Sequence, residues 1–229
     1  MNINKKITAI RTSAILLVCY FLQMSVALSQ IQVYDDFEGK KLLSYHTSGG
    51  SSSLDTAAKN PSPDGVNNTE KCAKYTRDKS KKFDNIKMNV LGKLTDVSEY
   101  ATYTGIPPKI KLKIYSSAPI GTKVEILLGR KGHNNEYPKG TNSQYQAYTT
   151  KQNAWEILEF KFSQIPQESE TSTTAVDQIA LLFNPNTSTA DTYYFDDLTG
   201  PSVVSNKSEP AVTPQTNSKK TTPQSSNNK

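Results

Sequence analysis

The sequence predicts an all-β fold, a two-sheet antiparallel β-sandwich of the jelly-roll type. Three observations predict it. Apolar and polar residues alternate with period two in many short segments. Turn-forming Pro, Gly, Asn and Asp separate those segments. No long apolar pattern with a 3.6-residue period exists, and at most one helical turn fits Asp96–Ala101. About ten short strands joined by irregular loops are the pattern of a sandwich.

Each strand has its own reason. Ile110-Lys111-Leu112-Lys113-Ile114 turns three apolar side chains one way and two lysines the other. Ile86-Lys87-Met88-Asn89-Val90 repeats the pattern. Trp155–Phe162 does so with a slip at Leu158 that suggests a bulge. Val33–Phe37, Ser53–Ala57, Lys71–Thr76, Lys123–Leu128, Gln144–Thr149, Gln178–Phe183 and Tyr193–Leu198 are further candidates. Turns fall at Asn60-Pro61, Pro63-Asp64-Gly65, Pro107-Pro108, Pro119-Ile120-Gly121 and Asn184-Pro185-Asn186.

The chain has 229 residues, 27 basic and 21 acidic, with a formal net charge of +6. The ends hold that excess. Residues 1–29 carry Lys5, Lys6 and Arg11 and no acid; residues 202–229 carry Lys207, Lys219, Lys220 and Lys229 against Glu209. The middle has 20 basic and 20 acidic side chains. A neutral domain does not point to nucleic acid.

Residues 1–29 read as a signal peptide. A basic start is followed by an apolar run from Ala14, and Ala27-Leu28-Ser29 suits cleavage before Gln30. No transmembrane segment then remains, and the protein is expected to be exported: secreted, periplasmic or held at the cell surface. Cys19 leaves with the leader, so Cys72 is the single mature cysteine. It reads as a small buried apolar residue. Residues 30–201 form the domain. Residues 202–229, rich in Ser, Thr, Asn, Gln, Pro and Lys, form a disordered polar tail.

The order of several pieces resembles the secreted jelly-roll carbohydrate-binding modules with the galactose-binding-domain-like fold. They are Tyr34-Asp35-Asp36-Phe37-Glu38-Gly39, Asn60-Pro61-Ser62-Pro63-Asp64-Gly65-Val66-Asn67, Lys109–Ser116, Trp155-Glu156-Ile157-Leu158 and Tyr193-Tyr194-Phe195-Asp196-Asp197-Leu198. The resemblance implies that the first and last strands lie side by side and that acids on them hold a structural Ca²⁺. Asp36, Glu38, Asp196 and Asp197 would be the carboxylates, helped by carbonyls near Asn60. The chemistry is compatible, since Ca²⁺ takes six to eight oxygens and clustered carboxylates repel without a cation. The resemblance also places Trp155 in the core.

No catalytic constellation stands out. His46 and His133 are the two histidines, no zinc spacing exists, and no nucleophile elbow or phosphate loop is present. Arg130, Lys131, His133, Tyr137 and Tyr145 partly match what a polysaccharide lyase uses, without a lyase motif around them. The expectation is therefore a non-catalytic, monomeric module that binds a polysaccharide or oligosaccharide. A protein-binding scaffold of the same fold is the alternative, with a small lyase or hydrolase behind it. Tyrosines point to the site, because a ring accepts the C–H face of a sugar while the hydroxyl bonds at its edge. The expected ligand-binding set is Tyr103, Arg130, His133, Asn135, Tyr137, Tyr145 and Tyr148. Tyr145 and Tyr148 have opposite parity, so only one of them faces a given side. Phe83, at the start of a strand, offers a further ring.

Overall fold

The computed structural model describes residues 32–132 and 137–204. The leader expected at 1–29 lies outside the described residues, and so does the tail beyond Val204. His133 and Asn135 lie outside them too.

Thirteen strands are described and no helix. They are β1 (Gln32–Val33), β2 (Leu43–Thr47), β3 (Ser53–Lys59), β4 (Lys71–Thr76), β5 (Ile86–Val90), β6 (Lys93–Leu94) and β7 (Ile110–Ser116). After them come β8 (Lys123–Gly129), β9 (Thr141–Tyr148), β10 (Trp155–Gln164), β11 (Gln178–Phe183), β12 (Thr192–Gly200) and β13 (Val203–Val204). The first sheet has the order β3-β4-β12-β7-β10, with β1 beside the end of β12. The second has the order β2-β5-β11-β8-β9-β10. Every pairing is antiparallel. The fold is the expected all-β jelly-roll sandwich.

Strand β10 belongs to both sheets. Trp155–Phe160 pairs with β7, from Trp155↔Tyr115 to Phe160↔Ile110. Lys161, Phe162 and Gln164 then pair with Gln146, Tyr145 and Gln144 of β9, with a bulge before Gln164. The slip seen at Leu158 is not a bulge. Leu158 and Phe160 are buried, whereas Ile157 faces out and is exposed. Glu156 takes the inward parity as a buried carboxylate.

Period-two patterning delivers the core. Val124, Ile126 and Leu128 of β8 and Ile86, Met88 and Val90 of β5 meet Leu112, Ile114, Tyr193 and Phe195 of the first sheet in one cluster. Phe183 bridges the sheets. Its ring stacks on Tyr193 at 4.4 Å between centroids and lies near Tyr75 and Phe195 at 5.9 and 5.8 Å. Trp155 is buried as expected, and its indole N–H donates to Asn60 Oδ1 at 3.0 Å.

Two expectations shift. The first strand stops at Val33 because aspartates bend the chain beyond it. Asp35 Oδ1 accepts from the Phe37 amide, and Asp36 Oδ1 accepts from those of Glu38, Gly39 and Lys40. Phe37 is left with φ of 52°. At the other end Val203–Val204, expected in the tail, pairs with Leu94 and Lys93.

Phe183→Ala is expected to cost about 3–5 kcal/mol of stability. Denaturant unfolding followed by emission of Trp155, the one tryptophan, measures it. A loss below about 1 kcal/mol would contradict the bridging role.

Candidate functional site

The outer face of the second sheet is a groove of about 580 Å³. Its walls follow from the pairing register. Gln164, Gln144, Leu127, Ala180, Lys87 and His46 form one row across β10, β9, β8, β11, β5 and β2. Lys161, Gln146, Glu125 and Leu182 form the next row, and Gly129, Gln178 and Asn89 a third. The central strands β8 and β11 thus present Leu127, Gly129, Ala180 and Leu182. The long amides stand largely on the flanking strands.

The polar side chains are tied to one another. Gln146 Nε2 donates to Glu125 Oε2 at 3.0 Å, and Lys123 Nζ pairs with the same oxygen at 3.3 Å. Gln164 Nε2 donates to Gln144 Oε1 and stands 3.5 Å from the Tyr137 hydroxyl. Gln178 Nε2 donates to Asn89 Oδ1 at 2.8 Å. Gly129 is required where the backbone closes in. A Cβ there would stand 2.4 Å from the Gly140 carbonyl oxygen, and that carbonyl accepts from the Arg130 amide at 2.9 Å.

Two rings complete the lining, Phe83 (61% exposed) and Tyr137 (56% exposed). Phe83 and Asn85 come from the connection between β4 and β5, and Pro185 from that between β11 and β12. Arg77 locks the two connections. Its buried guanidinium donates to the Thr187 and Thr189 hydroxyls at 2.9 and 2.8 Å and to the carbonyls of Lys81, Lys82 and Thr187. The Asn186 amide donates to the Lys82 carbonyl at 2.7 Å. Buried Asp84 accepts from the Tyr75 hydroxyl, the Asp78 amide and the Ser48 hydroxyl.

The residues expected from the sequence divide. Arg130 and Tyr137 line the groove. Tyr148 lies on the same face as Gln144 and Gln146, opposite Lys123 and past the groove's end. Tyr145 faces the core. It has the inward parity, is 1% exposed, packs against Phe162, and its hydroxyl is pushed up to about 12 by burial. Tyr103 lies over Phe162 at 4.7 Å and donates to the Ser163 carbonyl, away from the groove lining. The glutamines went unnamed in the expected set. Their signal was parity: Gln144, Gln146 and Tyr148 share one face of β9 and Ser143, Tyr145 and Ala147 the other, with Gln144 itself only 6% exposed.

The first and last strands do lie side by side, with Val33 opposite Thr199. The four acids nevertheless do not form one donor set. Asp36 caps its own turn, and amide bonds, first that from Glu38, hold its carboxyl below the usual range. Glu38 Oε1 accepts from the Glu70 and Lys71 amides at 2.6 and 3.1 Å. Asp197, at φ of 45°, pairs with Lys113 at 2.7 Å. Asp196 is buried and accepts from Asn67 Nδ2, the Thr69 hydroxyl and the Asp197 amide. The nearby Asn67 and Thr69 carbonyls accept from Asn60 Nδ2. Among the described residues no three His, Cys, Asp or Glu come together to hold a metal ion. Cys72 is buried, and desolvation pushes its thiol up to about 12, which suits a packing residue.

Fold and face together define a β-sandwich with one open, amide-lined groove. No family model matches the chain, and no curated protein matches it. Solved structures do match. A family 11 carbohydrate-binding module from Clostridium thermocellum, solved with a β-1,3-1,4-mixed-linked tetrasaccharide, is 13% identical. The match covers 76% of this chain and 97% of that one, with a TM-score of 0.47. The family 11 module of a cellulosomal cellulase of Clostridium thermocellum is 14% identical over 76% and 95%, with a TM-score of 0.48. An exo-β-agarase is 12% identical over 76% of this chain and 25% of its own, also at 0.48. Likeness at this level assigns no residue role and no ligand to this chain.

Burial, the largest effect, raises the Asp196 carboxyl from 3.8 to about 6. The folded state therefore favours the protonated form. That contribution is full below about 3.9 and is lost as pH rises through about 6. In EDTA, Asp196→Asn is expected to gain melting temperature relative to the parent by a few degrees between pH 5 and pH 7. Replacing EDTA with millimolar Ca²⁺ is expected to leave the parent's melting temperature unchanged. A rise with Ca²⁺ would show that the four carboxylates rearrange around a cation.

Proposed function

We propose that this exported domain binds a linear polysaccharide without cleaving it, laying the chain in the groove on the outer face of the second sheet. The observation that carries the reading is the lining itself: Asn85, Gln144, Gln146, Gln164 and Gln178, with Phe83 and Tyr137 exposed beside them. A sugar ring has an apolar C–H face and an edge of hydroxyls. Exposed rings take the face. Amides supply both donors and acceptors to the edge, and binding them does not strip water from a full charge.

The charge pattern supports binding over hydrolysis. Glycoside hydrolysis needs two carboxylates across the scissile bond. Among the described residues Glu125 is the carboxylate in the groove lining, and Lys123 and Gln146 already engage it.

Affinity electrophoresis against mixed-linkage β-glucan, xylan, β-1,4-galactan, agarose and a pectin tests the reading. Retardation by at least one polymer is expected, with no new reducing ends on incubation. Phe83→Ala and Tyr137→Ala are each expected to weaken binding about five- to tenfold at unchanged stability. Tyr145→Ala is instead expected to destabilise the fold by about 3–5 kcal/mol. A protein retarded by no polymer would overturn the proposal and favour a protein partner.

A further inference from the structure

A second cleft of about 580 Å³ lies beside the groove. The sheet switch of β10 produces it. β9 and β10 pair only from Gln144↔Gln164 to Gln146↔Lys161. Beyond that point β9 stays with β8 as far as Tyr148↔Lys123, while β10 runs with β7. The two strands splay, and the gap between them is the cleft. The free edge of Trp155–Phe160 faces no partner strand among the described residues, so its main-chain groups border the gap.

We propose that the cleft is a second subsite for the same polysaccharide, with Tyr148 as its stacking platform. This rests on the groove reading above. Gln146 lines both the groove and the cleft, so the two adjoin at that side chain. Tyr148 follows two residues on along β9, on the same outward face, and is 54% exposed. Ile157, 52% exposed, stands on the opposing strand and gives a second apolar surface.

The remaining groups fit an uncharged, hydroxyl-bearing segment. Lys161 and Glu159 bring opposite charges, and Glu159 is held by Lys111 at 2.6 Å, which keeps its carboxyl below the usual range. Glu156 sits at the base. Its carboxylate accepts from the Thr150 amide and hydroxyl and from the Lys151 amide. These bonds tie it to the segment that follows β9.

The test is titration calorimetry with a tetrasaccharide and an octasaccharide cut from the polymer that retards the protein most. The parent is expected to bind the octasaccharide about tenfold tighter, the gain of one further ring contact. Tyr148→Ala is expected to remove that gain and leave the tetrasaccharide within about twofold. Tyr148→Phe is expected to keep it, because the ring does the work. Phe83→Ala should weaken both ligands. A full length gain in Tyr148→Ala, or an equal loss for both ligands, would overturn the subsite alone. A parent that binds neither oligosaccharide would overturn the groove reading together with it.

Discussion

The constraint on which the rest depends is the double membership of β10. Its ten residues run first with β7 and then with β9, with Ser163 left unpaired at the bulge. No strand confined to one sheet would join the two faces in this way. The switch brings Gln164 beside Gln144 at the groove, and it forces β9 and β10 apart just below. Groove and cleft are two results of one change of partner. The bulge after Phe162 absorbs the turn, as bulges do where a strand changes direction.

Much of this was legible in the sequence because a strand has period two. Buried Val124, Ile126 and Leu128 against outward Lys123, Glu125 and Leu127 is a pattern anyone can read along the chain. The choice between Tyr145 and Tyr148 was legible as well. Tyr148 shares parity with two glutamines and Tyr145 with Ser143 and Ala147, so the two rings fall on opposite faces, and Tyr148 is the exposed one. Strand order was not legible. Gln164 and Gln178 join Gln144 only through long-range pairing. The acidic ends show the other limit. Their neighbourhood was foreseen, but each carboxylate finds amides or a lysine close by, and such local bonds compete with any shared cation.

An exposed phenylalanine on a connecting segment is usually mobile, and ordering it on binding costs affinity. For Phe83 the backbone part of that cost is reduced, because the segment beneath the ring is tied down. Arg77 is buried with hydroxyl and carbonyl partners from both connections, so its charge is solvated by fixed dipoles. Removing the guanidinium would take five bonds from the two connections and loosen the segments that carry Phe83, Asn85 and Pro185. A buried cation thus fixes the backbone from which the exposed ring projects.

The amides follow the same logic. Each groove glutamine uses one end of its side chain inside the protein. Gln146 donates to Glu125, which leaves its Oε1 as an acceptor. Gln144 accepts from Gln164, which leaves its Nε2 as a donor. Gln178 donates to Asn89 and keeps an acceptor. The side-chain entropy of these long residues is thereby reduced before any ligand arrives. A face of fixed, alternating donors and acceptors matches a polymer whose hydroxyls recur at regular intervals. It matches a flat apolar partner far less well. The Lys123–Glu125 pair works in the same direction, because it cancels charge at the groove's end and leaves neutral hydrogen bonding to decide what is held there.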